Sequence, residues 1–375
     1  MLQDADLNAA VAQGIVTEAQ AAQLRELAQR RERERAIALG HEERFRFLRG
    51  FNDVFFAIGV VLFVAGLLYF APPGASGSIL TAAVVWGLAE LLVGRMRLVL
   101  PGILLAIAFV VLVFAASVRM PAESWLGAGI DLRAPTALSV LQGLQYYPGG
   151  PLFFAARALV PAAAAGLFYW RFKLPFALLP LAGSLVAVVL AVASYLVPAA
   201  QIWDPVALLV CGLAVFTAAM AFDASDRERS TRRADCAFWL HLLAAPLIVH
   251  SLIWLISPAL TATSAAVPGG PSWRAMTPEL AAAIVLIFSV LALIAIAIDR
   301  RALLVAGLTY LGAAIGYAIS GGRAGPNVAF AVSMTLALLG ALVLVLGVGW
   351  MALRRMLIAH MSASLANRLP PVPAP

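Results

Sequence analysis

The sequence predicts an all-α polytopic membrane protein with about ten transmembrane helices. Of its 375 residues, 63% are hydrophobic and only 12% are charged, which is about half the charged share of a soluble domain. The mean hydropathy is +0.94. Apolar runs of about 18–25 residues recur from residue 52 onward, and each is long enough to cross a hydrocarbon core of about 30 Å as a helix. This composition excludes a cytosolic enzyme, a secreted disulfide scaffold and a disordered regulator.

Residues 1–50 precede the first apolar run and are predicted to form a short cytoplasmic helical hairpin followed by an interfacial helix. Gly14 is predicted to end the first helix in the left-handed conformation, because glycine has no Cβ that would clash there. Thr17 and Gln20 match the capping box S/T-x-x-E/Q, in which two side chains satisfy two free backbone N–H groups at a helix start. Basic and apolar residues alternate over 41–51, which is typical of a helix at the lipid headgroups.

The second predicted domain, residues 51–353, contains the ten membrane spans, and residues 354–375 form a cytoplasmic tail. The proline-rich end of the tail predicts partial disorder. The second span is the weakest, because Glu90 interrupts its apolar run. The predicted spans are 52–71, 79–96, 98–118, 152–170, 174–197, 204–222, 237–258, 279–298, 302–320 and 327–350.

The distribution of basic residues predicts the orientation. If the N-terminus is cytoplasmic, 21 of the 26 basic residues fall on the cytoplasmic side, as the positive-inside rule requires. This split predicts an even number of spans with both termini inside. Tryptophans near span ends, Trp350 among them, fit an interfacial aromatic belt. The net charge of +7 is therefore explained by the orientation of the protein in the membrane. We predict contact with the lipid bilayer and no nucleic-acid partner.

Three ionisable residues within the spans are candidates for a polar site, because a charge inside a membrane is costly. Glu90 either binds a proton or cation, or reaches the interface or pairs with an arginine. Arg97 follows seven positions later on nearly the same helix face. Arg157 either binds an anion at an outward cavity, or extends its long side chain to the outer interface. His250 lies near the middle of the seventh span and is the strongest candidate, although an interhelical hydrogen bond would also explain it.

Two further patterns concern packing and local pairing. Gly312 and Gly316 form a GxxxG motif in the ninth span, which predicts close helix contact either within one chain or between two chains. Asp299 is followed directly by Arg300, and we predict that the two side chains pair.

The known catalytic motifs are absent from the sequence. It contains no HExxH, no GxSxG, no Walker A loop and no GxGxxG after a strand. Its four histidines do not follow a metal-ligand spacing. We therefore predict no catalytic residue, no metal site and no cofactor, and the sequence favours a role that is not enzymatic over an intramembrane enzyme.

The N-terminal region resembles a known bacterial family. The residues concerned are the hairpin sequence Leu7–Ala21 and the start of the first span, Phe51–Gly59. They are similar to the predicted membrane proteins of domain-of-unknown-function family 2157, which begin with such a hairpin before their first span. The resemblance implies a polytopic bacterial membrane protein and carries no activity or site residue.

The composition, dominated by Ala, Leu, Gly and Val with 25 arginines against one lysine, is typical of a GC-rich bacterial genome. Together with the ten predicted spans, it leads us to predict a protein of the bacterial inner membrane. The first hypothesis for function is permease-like binding or transport of a small solute. The first alternative is a membrane scaffold or sensor whose N-terminal hairpin docks a cytoplasmic protein. The second alternative is an intramembrane enzyme. Oligomeric state is not predicted.

Overall fold

The computed structural model describes residues 11–27, 51–120, 150–196, 203–226, 231–260, 276–321 and 328–362, together with Leu7, Arg30, Arg229 and Leu369. This part of the chain contains ten helices long and apolar enough to cross a membrane, and no strand. The prediction of an all-α polytopic membrane protein is confirmed. The predicted interfacial helix before Phe51 and the end of the tail lie outside the described residues, apart from Leu369.

The ten helices follow the predicted spans closely. Most boundaries differ by only a few residues, because a long apolar run ends where the polar connection begins. The helices are α1 (Phe51–Phe70), α2 (Ala75–Ala89), α3 (Leu100–Arg119), α4 (Gly150–Phe172), α5 (Leu178–Leu196), α6 (Trp203–Ser225), α7 (Arg232–Leu260), α8 (Pro278–Ile298), α9 (Ala302–Ser320) and α10 (Val328–Ala359).

Two boundaries differ in an informative way. After α2 the chain continues as a π-helical turn, Glu90–Arg95, at the position where the sequence shows a charge in an apolar run. Single π-helical turns are rare and often lie at functional sites. In addition, α10 continues to Ala359, well past the predicted end at residue 350, so Arg354 belongs to a helix.

The N-terminal hairpin has the predicted local signals. Gly14 adopts a φ of 70°, and its N–H donates to the carbonyl of Val11 at 3.0 Å. The backbone N–H of Thr17 donates to Oε1 of Gln20 at 2.9 Å, and the N–H of Gln20 donates to Oγ1 of Thr17 at 3.3 Å. Both bonds of the capping box are therefore formed, and residues 18–27 are helical.

The helices pack mainly against their neighbours in sequence, around two large apolar cores and two small clusters in the described part of the chain. One core lies within α1–α5 and includes Val85, Leu105 and Phe168. The other lies within α7–α10 and includes Leu280 and Leu303. Helix α7 contacts α5, α6, α8 and α9, so it connects the two groups of helices.

The outer helices leave their apolar side chains uncovered by protein. In α10, Leu344 is 70% exposed and Val348 is 91% exposed. A soluble protein rarely exposes contiguous apolar surface on this scale, whereas a lipid bilayer solvates it. The protein is therefore a multi-pass membrane protein.

Candidate functional site

The charged features of interest lie at one end of the helix bundle, which we call the basic end. Here α2, α4, α6, α8 and α10 finish, and α3, α5, α7 and α9 begin. This end is the one that the arginine distribution predicts to face the cytoplasm.

An open cavity of about 370 Å³ lies at the basic end, between the end of α2, the start of α3, the α4–α5 junction and the first turns of α7. We call it the basic cavity. Four cationic side chains and one carboxylate line it, namely Arg97, Arg171, Lys173, Arg232 and Asp235. The rest of its wall is largely apolar or aromatic and includes Val93, Leu98, Phe172, Phe176 and Trp239.

Two of these cations lie at turns with unusual backbone geometry. Arg97 has a φ of 56° and Lys173 has a φ of 51°. The left-handed region costs a residue other than glycine about 1–3 kcal/mol, and such positions concentrate at functional sites. The turn at Lys173 ends α4, and Leu174 is extended with ψ of 116° because Pro175 disfavours a helical conformation in the residue before it.

Three cations of the basic cavity have no ion pair in the described part of the chain, and two of them, Arg97 and Arg232, also have no ring contact there. Both side chains are exposed, and no hydrogen bond or ion pair holds either of them among the described residues. The Lys173 ammonium lies 5.7 Å from the ring centre of Tyr169. The cavity therefore presents guanidinium groups that remain free to bind an anion.

Glu90 lies beside the basic cavity and pairs with Arg171. Nη2 of Arg171 donates to Oε2 of Glu90 at 2.5 Å, and both side chains are partly exposed. The sequence placed Arg97 near Glu90 on one helix face, whereas the partner in the structure comes from α4, 81 residues away. Glu90 therefore neutralises one of the four cations of the cavity.

The second charged feature is buried within the basic end, and we call it the buried ionic cluster. It joins the end of α6, the start of α7, the α8–α9 turn and the last turns of α10. Its members are Asp223, Arg229, His241, Asp299, Arg300, Trp350 and Arg354.

Asp223 forms the first half of the buried ionic cluster. Nε of Arg300 donates to its Oδ2 at 3.0 Å, and Nη2 of Arg300 donates to its Oδ1. His241 lies 2.9 Å from the same Oδ2 through Nε2, and its Nδ1 has no hydrogen-bond partner in the described part of the chain. Nη2 of Arg300 also donates to the carbonyl of Ala234 at 3.3 Å. Arg300 therefore ties the α8–α9 turn to both α6 and α7.

Asp299 is the carboxylate of the second half of the buried ionic cluster. Nε1 of Trp350 donates to its Oδ1 at 2.7 Å, and Nη1 of Arg229 donates to its Oδ2 at 3.0 Å. Nη1 of Arg354 lies 3.7 Å from the same Oδ2. Each of these side chains is almost completely buried.

The predicted pairing of Asp299 with Arg300 is therefore wrong. Asp299 adopts a φ of 57° at the end of α8, and the two neighbouring side chains bind different partners. Asp299 binds α10 and Arg229 of the α6–α7 connection, whereas Arg300 binds α6 and α7. Trp350 is also placed wrongly by the sequence, because it is 1% exposed inside the bundle and takes no part in an interfacial belt. One feature of the sequence could have indicated a buried position for Trp350: Arg354 follows it four residues later, which puts both side chains on one helix face.

Arg157 lies at the opposite end of the bundle from the basic cavity. It is 1% exposed, so its guanidinium is covered by protein. Its guanidinium donates to the carbonyls of Val118 and Met120 at 3.4 Å each and lies 4.5 Å from the ring centre of Phe153. A cation favours the unpaired carbonyls at a helix C-terminus, so Arg157 caps the end of α3.

His250 links α7 to α9. Its Nδ1 forms a hydrogen bond with the hydroxyl of Tyr310, and its ring centre lies 5.9 Å from that of Trp254. This geometry corresponds to the interhelical hydrogen bond that was the alternative to a binding site. Glu90, Arg157 and His250 contact α4, α3 and α9 respectively, so they do not form one site.

Replacing Tyr310 with phenylalanine is expected to lower the free energy of unfolding by about 0.6 kcal/mol, the average for a side-chain hydrogen bond between membrane helices. SDS titration of the purified protein measures this loss. Tyr317→Phe in the same helix is the control, since no side-chain hydrogen bond of Tyr317 is present among the described residues. A loss far above about 2 kcal/mol would contradict a simple packing role for His250.

Gly312 and Gly316 face α10 of the same chain. A Cβ on Gly312 would lie 3.0 Å from Cδ1 of Leu339, and one on Gly316 would lie 3.4 Å from Oγ1 of Thr335. The GxxxG motif therefore brings α9 close to α10 within one chain.

Taken together, the fold and these sites define a multi-pass helical membrane protein whose basic end combines a buried ionic cluster with an open cationic cavity. No protein-family model, curated protein or solved structure matches the chain. The resemblance of its N-terminal region to domain-of-unknown-function family 2157 stays a prediction.

Proposed function

We propose that this protein is a permease-like protein of the bacterial inner membrane that binds a small anionic solute in the basic cavity. The observation that carries the proposal is the convergence of four cations on one open cavity against a single lining carboxylate. The volume, about 370 Å³, lies within the range of small-molecule sites, which is roughly 300–1,000 Å³. The cavity opens at the end that we predict to be cytoplasmic.

The two charged features support different roles because their side chains differ in how completely they are paired. In the buried ionic cluster, both carboxylates are saturated by buried donors, so its role is to hold helix ends together. In the basic cavity, Arg97 and Arg232 have no counter-charge in the described part of the chain. Membrane orientation requires positive charge in the cytoplasmic connections, but it does not require those charges to meet around one cavity.

The proposal is tested by binding and flux of labelled phosphate, sulfate and benzoate with the full-length protein in proteoliposomes. Arg97→Gln and Arg232→Gln are each expected to raise the dissociation constant of the bound anion about tenfold or more, because a charge-assisted hydrogen bond contributes about 1.5–3 kcal/mol. Arg233→Gln is the matched control, since Arg233 is exposed on the same turn of α7 and does not line the cavity.

The outcomes separate the permease from a protein that only binds. Saturable flux that falls in both cavity variants supports transport. Binding without flux supports a sensor that recognises an anion. No binding of any of the three anions contradicts the proposal as a whole.

A membrane scaffold or sensor that docks a partner is the second candidate. One observation favours it: Leu24 and Leu27 of the hairpin are 44% and 50% exposed, so its helix presents apolar surface to a partner. A scaffold of this kind predicts neither anion binding nor flux, and the proteoliposome experiment therefore also distinguishes the two candidates.

A further inference from the structure

The net charge of the basic cavity constrains the anion that it binds, if the proposed binding function holds. Arg171 is paired with Glu90, which leaves Arg97, Lys173 and Arg232 opposite one lining carboxylate, Asp235. Three positive charges against one negative charge complement a dianion better than a monoanion. A phosphate monoester carries a charge of about −1.5 to −2 near pH 7, with three acceptor oxygens.

The cations are also of the type that binds phosphate. The guanidinium of arginine presents planar, forked N–H donors that match two oxygens of a phosphate at once, and lysine binds phosphate as a point charge. Arg97 and Lys173 both project from left-handed turns, one after α2 and the other after α4. These turns bring the two cations to the same cavity from different helix ends.

The wall of the cavity indicates what the phosphate is attached to. Phe176 and Trp239 form an edge-to-face pair with ring centres 4.8 Å apart, and both line the cavity, with Phe172. Phe176 is buried, whereas Phe172 and Trp239 are partly exposed, and an inorganic ion would leave these two rings in contact with water. An apolar or aromatic group on the phosphate would cover the wall and gain the free energy of burial.

We propose that the ligand of the basic cavity is a phosphate monoester attached to an apolar or aromatic group. Two sources share this chemistry: a soluble phosphate ester, and a lipid with a phosphomonoester headgroup. Basic pockets between transmembrane helices on the cytoplasmic side bind anionic lipid headgroups in other proteins, so the test includes both sources.

The test is calorimetric titration of the full-length protein in detergent with phenyl phosphate, inorganic phosphate and benzoate. Phenyl phosphate is expected to bind at least tenfold more tightly than either of the others, since inorganic phosphate lacks the apolar group and benzoate lacks the second charge. Arg97→Gln and Arg232→Gln are expected to weaken phenyl phosphate about tenfold, and Arg233→Gln is expected to leave it unchanged. All three side chains are exposed, so these variants retain the fold.

Nanodiscs identify the source. If discs containing phosphatidic acid displace phenyl phosphate and discs containing phosphatidylglycerol do not, the monoester comes from a lipid. If neither displaces it, the monoester is soluble, and the proposal stands in both cases. Equal affinity for benzoate and phenyl phosphate would overturn the phosphate proposal and leave anion binding intact. Failure of all three probes to bind would overturn the proposed function as well.

Discussion

Replacing Asp299 with alanine is expected to lower the free energy of unfolding by about 3–5 kcal/mol, the cost of removing one partner from a buried ion pair. The substitution leaves the Arg229 and Arg354 guanidiniums without their shared carboxylate. It also removes the acceptor of the Trp350 indole N–H. SDS titration of the detergent-purified protein, followed by circular dichroism, measures the change.

Two further variants make this prediction specific. Glu279→Ala is the matched control, because Glu279 is an exposed carboxylate at the other end of the same helix α8, and its loss is expected to cost less than about 1 kcal/mol. Adding Arg354→Met to Asp299→Ala is expected to restore part of the stability, since it removes one of the two buried guanidiniums that have lost this carboxylate. A cost for Asp299→Ala equal to that of Glu279→Ala would show that water compensates the charges of the cluster.

Replacing Asp223 with alanine is expected to have an effect of similar size, about 3–5 kcal/mol. Arg300 then keeps only the carbonyl of Ala234 as a described acceptor, and His241 loses the partner of its Nε2. Because Arg300 holds the first turns of α7 through Ala234, we also expect this region to open more often. The same SDS titration measures the stability.

A native cysteine reports the local opening. Cys236 is 3% exposed in the second turn of α7, and the only other cysteine of the chain is Cys211. In a Cys211→Ser background, maleimide labelling of Cys236 is expected to be faster with Asp223→Ala than without it. Asp204→Ala, at the opposite end of α6, is the control. Unchanged labelling together with unchanged stability would contradict a structural role for Asp223.

The basic end thus separates its charges into two groups with different consequences. Charges in the buried ionic cluster have partners on other helices, so their loss is expected to affect stability. Arg97 and Arg232 of the basic cavity are exposed to solvent. Their loss is therefore expected to affect anion binding and to leave the free energy of unfolding nearly unchanged. Measuring both quantities for both groups of variants tests this separation directly.

Much of the fold could be predicted from the sequence because its causes are local. An apolar run of sufficient length must become a helix in lipid, and nine of the ten predicted spans start or end within a few residues of the observed helices. The left-handed turn at Gly14 and the capping bonds of Thr17 and Gln20 involve residues at most three positions apart. Such features depend little on the rest of the chain.

The candidate site could not be predicted in the same way. Asp299 and Arg300 are neighbours in sequence, yet the turn between α8 and α9 directs them to different helices. Glu90 lies seven positions before Arg97, yet its partner is Arg171. The sequence does not predict the contact between His241 and Asp223. The same carboxylate also binds Arg300, which lies 77 positions after Asp223 in the chain.

The sequence by itself determined the class of protein, the positions of the helices and the local signals of the hairpin, because hydropathy and capping act over a few residues to about twenty. Only the tertiary structure decided which charges are paired and which are left around a cavity. Ion pairing acts over a few ångströms in space, and helix packing brings together side chains separated by 51, 70 and 77 positions in the chain. The arginines that mark the orientation in the sequence therefore divide, in the folded protein, into those that hold the helices together and those that are available to bind an anion.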